Sequence, residues 1–535
     1  MNNQAASTVL SLKEAFTEQA LKARLGVHDL SLPARGWIPL LLVFLFAALL
    51  RFYNLANPNA IVFDETYYAK DAYSLLHYGY ERNWAENANQ SFVAGAPSGI
   101  LDSAEYVVHP PVGKWMIAFG MALFGDDNPF GWRFAAALTG TLSIGLVMLA
   151  AWFLFRSLPV ASLAGFLLAI DGLHLVQSRF ALLDIFLMFW LLATFLALLA
   201  DRHQGRKRLA QAIAARAQAQ GGLADQDYMR YGPFLGFRYW RFLAGICAGL
   251  AVGVKWNALF FIAIFGILTV LWDAQARRLA GVSRWYLAGF FRDGFFAFCS
   301  LIGVGLITYL LTWSGWLLTD SGYHRQWAAE HPQEGLLWLP ESLRSLWEYH
   351  RSAYTFHSGL DSDHTYESPA WQWLLLGRPT SYYYESPKLG ENGCQVDSCS
   401  EAVLNIGNPL IWWAFIFVLL FALFLLLLRR DWRFLALLAV FAAGYLPWFA
   451  YPERTMFFFY ALSFEPYLVL MLAGLLGFAL GRREDSLKRR RLGLLLVGLY
   501  LAAVLLVSIH FWPIWVAETI PYSQWRARMW FSGWI

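Results

Sequence analysis

The stretch ANPNAIVFDETYYAKDAY, residues 56–73, sets two adjacent carboxylates, Asp64 and Glu65, directly after a long apolar run. A carboxylate has no long stem with which to reach water. An acid pair beside hydrocarbon is therefore costly unless it is wet, paired or functional. Charged groups recur beside other apolar runs: His109 in VHPPVGKW, Arg133, Arg179 and Asp184 in QSRFALLD, Lys255 in GVKWN, and Arg454 in YPERTMFFFY. Taken singly, Arg133, Arg179 and Lys255 read as interfacial anchors that snorkel, His109 as a turn cap, and Asp184 as a structural partner of Arg179. As a set they suit one chemistry. A carboxylate can take the proton of a hydroxyl, fixed cations can hold a departing phosphate, and an apolar groove can hold a lipid tail. Such parts would move a group from a polyprenyl phosphate to a hydroxyl. Phosphate leaves readily, so no general acid is called for, unlike glycoside hydrolysis, where two carboxylates flank the bond. Neighbours such as Asp64 and Glu65 do not easily face each other in that way. One would act on the acceptor while the other orients it or pairs with a cation. A divalent cation is the rival use of an acid pair. For a monophosphate the arginines and lysine suffice, so no metal or other cofactor is expected.

The elements that must position these groups are apolar. Of 535 residues 58% are hydrophobic and 18% aromatic, and only 15% are charged, well below a soluble chain of this size. Several runs reach the length of about 20 residues needed to span a bilayer. The fold class is thus an all-α polytopic membrane protein. About eleven spans are expected, at 36–56, 130–156, 158–176, 180–201, 241–257, 258–273, 291–317, 408–428, 432–450, 456–480 and 492–512. Lys and Arg gather at 202–241, 277–292, 429–433 and 482–491, and such clusters mark cytosolic ends. They read as topology signals, not nucleic-acid sites. A further short run, 114–125, would put the 202–292 clusters outside if it crossed, and is read as re-entrant or interfacial. Residues 1–35 lack the features of a signal peptide and are expected to form a cytosolic extension, as a helix on the membrane surface. Residues 36–535 form the membrane domain, with a first external loop at 57–129, a cytosolic basic loop at 202–240 and a large acidic external loop at 318–407. The last holds Cys394 and Cys399 in GCQVDSCS, which suggests a local disulfide. On this topology Asp64, His109, Arg133, Arg179, Asp184, Lys255 and Arg454 all sit at one depth, on the outer side.

Five blocks in this order, FDETYYAKDAY, HPPVGKW, QSRFALLD, GVKWNALF and PERTMFFFYAL, resemble the protein O-mannosyltransferase family, whose fold is that of the membrane-embedded GT-C glycosyltransferases. The resemblance implies inverting transfer of mannose from a polyprenyl-phosphate donor to Ser or Thr of secreted proteins. Asp64 would be the base and Glu65 its support. Arg133 matches a family arginine near the site, and the topology adds Lys255, Arg179 and Arg454, so that these four would hold the donor phosphate, with His109 and Asp184 as further site residues. The setting would be a bacterial cell membrane, multi-pass, with the site on the extracytoplasmic side. The acceptor would be a polypeptide emerging from the Sec translocon. Two departures stand out. The 318–407 loop is too short for the β-trefoil MIR domain of eukaryotic members, and the family's late His-Tyr is replaced by Phe459-Tyr460. The rival readings are a GT-C enzyme acting on a glycolipid or cell-wall polymer, and a membrane transporter.

Overall fold

The computed structural model describes residues 14–222, 224–482 and 484–535. Residues 1–13 of the expected N-terminal extension, and Arg483 of the last basic cluster, lie outside them. The chain runs through α1 (Glu18–Arg24), α2 (Trp37–Phe52), α3 (Glu65–Tyr78), β1 (Arg82–Trp84), β2 (Ile100–Ala104), α4 (Val112–Phe124), α5 (Pro129–Phe155), α6 (Leu158–Ile170), α7 (Gly172–Gln177) and α8 (Asp184–Ala219). Then come α9 (Tyr239–Val252), α10 (Ala258–Leu279), α11 (Trp285–Thr312), α12 (Glu341–Ser358), β3 (Thr380–Glu385) and β4 (Cys399–Asn405). The last part holds α13 (Pro409–Arg429), α14 (Trp432–Tyr445), α15 (Glu465–Leu480), α16 (Leu487–Phe511) and β5 (Ile520–Pro521).

Among the described residues, 7 helices are long and apolar enough to cross a membrane: α5, α8, α10, α11, α13, α14 extended to Ala450, and α16 extended to Ile514. The shorter apolar helices α2, α6, α9 and α15 fall on the other expected spans. The remaining one, α4, is about 20 Å long at 1.5 Å per residue, short of the roughly 30 Å of bilayer hydrocarbon. It packs on α3 and α5 and turns Phe119, Leu123 and Phe124 outward.

Several expectations change. The span expected at 180–201 starts at Asp184 and runs unbroken to Ala219, so the basic segment begins as helix rather than loop. Residues 202–219 are dominated by Ala, Arg, Gln and Lys, without proline, and continue the helix cheaply. The span expected at 158–176 breaks at Asp171, whose backbone is extended. That carboxylate accepts from Leu173 N at 2.9 Å, Asn408 N at 2.9 Å and Trp412 Nε1 at 3.1 Å, which ties the break to the start of α13. The N-terminal extension does not simply lie on the membrane: Leu21 and Leu25 pack with Leu209, Ile213 and Met229, docking α1 on the far half of α8.

The fold is not purely helical either. Strands β1 and β2 form an antiparallel ribbon in the first loop, and the order β3-β4-β5 makes a small antiparallel sheet that joins the large loop to the C-terminal segment. Cys394 and Cys399, at the edge of that sheet, are bonded, with Cα atoms 5.9 Å apart.

The first loop is held by a buried ionic cluster. Lys114, 1% exposed, pairs with Glu81 and lies 3.8 Å from Asp71, itself 2% exposed. It joins α4 to α3 and to the head of the ribbon. Removing one member of such a cluster strands the others in low dielectric. Lys114→Met is expected to destabilise the protein by about 3–5 kcal/mol, read as a lowered midpoint of thermal unfolding in detergent. An unchanged midpoint would mean that the cluster does not anchor the loop.

Candidate active site

Asp64 stands at the head of α3, and the residue before it sets its direction. Phe63 has φ +50°, a left-handed conformation that a bulky side chain adopts only under constraint. The Phe63 ring stacks on Tyr382 of β3 at 4.6 Å between centroids. Asp64 occupies the cap position of α3, yet its side chain makes no capping hydrogen bond. It is partly exposed, and among the described residues its side chain forms no ion pair or hydrogen bond, so its oxygens are free. Burial pushes its carboxyl up to about 6, Lys255 opposes the rise and Asp184 adds to it.

Glu65 has the opposite fate. It is fully buried, and all four of its bonds are internal. Oε1 accepts from Arg133 Nε at 2.9 Å and Ala181 N at 3.0 Å, and Oε2 accepts from Arg133 Nη2 at 2.9 Å and Val62 N at 3.0 Å. It has no capacity left for a substrate. Glu65 is a positioning residue that pairs with a cation, the supporting role that the sequence suggests for one of the two acids, and it does not face the substrate.

Two of the four expected phosphate ligands are likewise committed. Arg133, 0% exposed, bonds Glu65 and donates to the carbonyls of Pro58 at 2.9 Å and Ala60 at 2.8 Å. Arg179, also 0% exposed, donates to the carbonyls of Arg51 at 3.1 Å, Tyr53 at 2.6 Å and Asn54 at 3.1 Å. These belong to the end of α2 and the turn after it, where carbonyls lack helical partners. Arg179 is therefore a side-chain cap, and its expected pairing with Asp184 does not form.

Of the other two cations, Lys255 acts directly on Asp64, and Arg454 shares the Tyr460 ring with Lys255. Lys255 Nζ bonds Asp184 Oδ2 at 2.7 Å and sits 5.8 Å and 5.7 Å from the ring centroids of Phe459 and Tyr460. Arg454 lies over Trp448 and Tyr460 and donates Nε to the His357 carbonyl at 3.2 Å, while its buried Nη1 has no partner. His109 stacks on His357 at 5.1 Å and lies 6.3 Å from Tyr68. Burial, reinforced by the positive charge of Lys255, holds its imidazole well below the usual range, so it is neutral near pH 7.

Close packing explains why the motifs have their glycines. Val112 N donates to the Gly253 carbonyl at 2.9 Å, and a Cβ on Gly253 would stand 2.5 Å from Val112. A Cβ on Gly113 would stand 2.6 Å from Leu183. The HPPVGKW, GVKWN and QSRFALLD blocks thus meet at one point and bring His109, Lys255 and Asp184 together.

Sequence reasoning missed His357, Tyr68 and Tyr382. His357 does leave a trace: His350 and His357 are seven residues apart and share one face of α12. Both reach Trp256, at centroid distances of 5.4 Å and 6.2 Å. Beside Trp256 opens an apolar groove of about 500 Å³, lined by Val252, Ile302, Leu306, Tyr309 and Tyr354 among others. Its inner end adjoins the residue next to Lys255.

The bundle, with a free carboxylate beside a lysine whose neighbour Trp256 lines an apolar groove, has the fold of the membrane-embedded GT-C glycosyltransferases, as its structural matches show. The fold matches the Saccharomyces cerevisiae protein O-mannosyltransferase Pmt1-Pmt2 complex bound to the sugar donor, with a TM-score of 0.69 at 15% identity over 94% of this chain and 93% of that one. ArnT from Cupriavidus metallidurans, bound to undecaprenyl phosphate, matches with a TM-score of 0.51 at 16% identity, over 90% of this chain and 70% of that one. Two family profiles match: the dolichyl-phosphate-mannose-protein mannosyltransferase region at residues 124–216, and the C-terminal four TMM region of protein-O-mannosyltransferase at 342–534. A polyprenol-phosphate-mannose–protein mannosyltransferase of Mycolicibacterium smegmatis is 36% identical over 94% of this chain and 93% of its own length. The Corynebacterium glutamicum protein of the same name is 33% identical over 92% of each. The chain belongs to the protein O-mannosyltransferase family.

The geometry separates structural charges from free ones, and a double-mutant cycle reads that difference. Arg133→Met and Glu65→Gln are each expected to destabilise the fold by about 3–5 kcal/mol and to be strongly non-additive. Donor affinity of the folded fraction should stay within about two-fold of wild type, because neither side chain faces the substrate. A large loss of donor affinity in Arg133→Met without loss of stability would restore it as a phosphate ligand.

Proposed function

We propose that this protein transfers mannose, with inversion, from polyprenyl-phosphate mannose to Ser or Thr hydroxyls of polypeptides at the extracytoplasmic face of a bacterial cell membrane. The observation that carries the step is the unequal fate of the acid pair: Glu65 is fully bonded and Asp64 is free. The side assignment rests on α8, which has Asp184 at one end and the basic run from Arg202 at the other.

The polyprenyl tail lies in the apolar groove beside Trp256, which brings the phosphate to Lys255 and Arg454. Arg454 is partly exposed, and among the described residues its guanidinium is hydrogen-bonded through Nε alone. Lys255 adds positive potential from a position fixed by Asp184. These fixed charges stabilise the phosphate as it departs, with little reorganisation. The acceptor hydroxyl approaches from the opposite side, beside Asp64. As its oxygen bonds to C1 of mannose, the C1–O bond to phosphate breaks, the phosphate keeps the electron pair, and Asp64 receives the hydroxyl proton. Attack opposite the leaving group inverts C1. Neutral His109 is placed to hydrogen-bond the sugar or the phosphate without repelling either Lys255 or Arg454.

No metal enters this scheme. Glu65 is engaged by Arg133 and Asp184 by Lys255, so the carboxylates around Asp64 already have cationic partners, and the leaving monophosphate has Arg454 and Lys255. Phe459 and Tyr460, in place of the family's His-Tyr, give Lys255 an aromatic wall. In this reading the acceptor is a polypeptide leaving the Sec translocon before it folds, whose hydroxyls come up to the partly exposed Asp64.

The test is transfer of labelled mannose from its polyprenyl phosphate to a Thr-containing peptide. Asp64→Asn is expected to lower kcat by about 10²–10⁴-fold while donor binding persists. Arg454→Met is expected to raise the donor Kd. In wild type, kcat/KM should rise with pH through about 6 and then level, because the base acts only when ionised. Lys255→Met removes the influence that lowers the Asp64 carboxyl, so the same limb should move to higher pH. Full turnover in Asp64→Asn would refute the base assignment.

A further inference from the structure

At the end of the bundle away from Asp64, a second cavity of about 530 Å³ lies between α1, α5, α8, α10 and α14. Along α8 it is about 27 Å from Asp184. Its walls carry six arginines, Arg24, Arg156, Arg202, Arg206, Arg429 and Arg433, against one carboxylate, Asp431. That carboxylate is engaged, since Arg433 bonds it at 2.5 Å. Arginines serving only as topology signals would point into water. Two of these do not. Arg206 is 5% exposed, donates to Leu25 O at 2.7 Å and Gln275 Oε1 at 2.8 Å, and leaves its buried Nε without a partner. Arg202 lies flat on Trp432 at 3.5 Å, and its Nε is also buried and unpartnered. Six guanidinium groups lining one cavity against a single engaged carboxylate, two of them held in place by burial and stacking, make a site for an anion.

The rest of the lining narrows the ligand. Phe153, Leu154, Leu199 and Leu279 give the cavity an apolar side. A ligand that satisfies both halves bears phosphate on an apolar body. We propose that this cavity is a binding site for a phosphate headgroup of an anionic membrane lipid, distinct from the donor site. Docking of α1 closes one side of it, through Arg24 and the Leu25 carbonyl held by Arg206. Bound phosphate would thus hold the N-terminal helix to the bundle.

The full-length protein, delipidated in neutral detergent, is titrated with phosphatidylglycerol or phosphatidylcholine, and retained lipid is counted by native mass spectrometry. Phosphatidylglycerol is expected to be retained in preference to phosphatidylcholine. Arg202→Gln, and separately the exposed-rim pair Arg24→Gln/Arg429→Gln, should weaken that retention by about five-fold per arginine. The rim pair keeps the test valid if Arg202→Gln is unstable. Arg490→Gln/Arg491→Gln, at the same end but outside the cavity, should change it little. Displacement of the lipid by inorganic phosphate would identify free phosphate as an alternative source of the same group, and resistance to displacement would assign the site to the lipid. Equal retention of the two lipids, or equal weakening by the Arg490/Arg491 control, would overturn the proposal.

Discussion

The site depends on one buried ion pair. Asp64 and Glu65 are neighbours at the head of the same helix, and neither could be fixed at the edge of a bilayer without compensation. The Glu65–Arg133 pair is bidentate, and two backbone amides satisfy the remaining lone pairs. A buried pair is tolerated only when its geometry and its extra hydrogen bonds offset the loss of hydration. Here the extra bonds do a second job. Ala181 and Val62, together with the Pro58 and Ala60 carbonyls bound by Arg133, pin the turn before α3 to the start of α5 and to the QSRFALLD segment. The strained Phe63 backbone, of order 1–3 kcal/mol, is sustained by that anchorage. Fixing one acid completely is what allows the other to stay unbonded at a defined place.

Much of this was legible in the sequence, but unevenly. Apolar runs located the spans, because hydropathy over about 20 residues is a strong signal. The order of five short blocks located the acid pair, His109, Asp184 and Lys255. Two of the arginines, Arg133 and Arg179, take roles that the sequence does not show. An arginine at the rim of an apolar run looks the same in sequence whether it snorkels, caps a helix or binds phosphate. Arg179 caps α2 from a segment more than a hundred residues downstream, and only the packed structure shows which carbonyls lack partners. The continuation of α8 past Arg202 was hidden for the reverse reason: basic residues signal the end of a span but are good helix formers. His357 and Tyr382 come from the large loop, whose placement over the site is a tertiary fact: Tyr382 has no local periodicity to announce it, and His357 has only its seven-residue spacing from His350.

The division between free and engaged charges also explains the electrostatics of the pocket. Lys255 is shared between Asp184 and the aromatic faces of Phe459 and Tyr460. A lysine held in this way loses its mobility, which suits it to act on a phosphate through potential more than through direct contact. Arg454 is complementary. Its guanidinium is packed between aromatic rings and keeps one nitrogen without a partner. Planar, weakly hydrated and always charged, it is the better group for direct phosphate contact at an apolar boundary. In the proposed reaction the two cations divide the work, one setting the field and the other forming the bond.

The same field acts on the base. A carboxylate near pH 7 needs to be ionised, yet a strongly stabilised carboxylate would be a poor proton acceptor. Burial and Asp184 raise the Asp64 carboxyl to about 6 and Lys255 keeps it from rising further. The result is a group that is ionised in neutral solution and still basic enough to take a proton as the hydroxyl becomes acidic in the transition state. Transfer of negative charge to the departing phosphate is then matched by neutralisation at Asp64. The pocket therefore keeps its net charge through the step, and no counterion has to move within a site bounded by lipid.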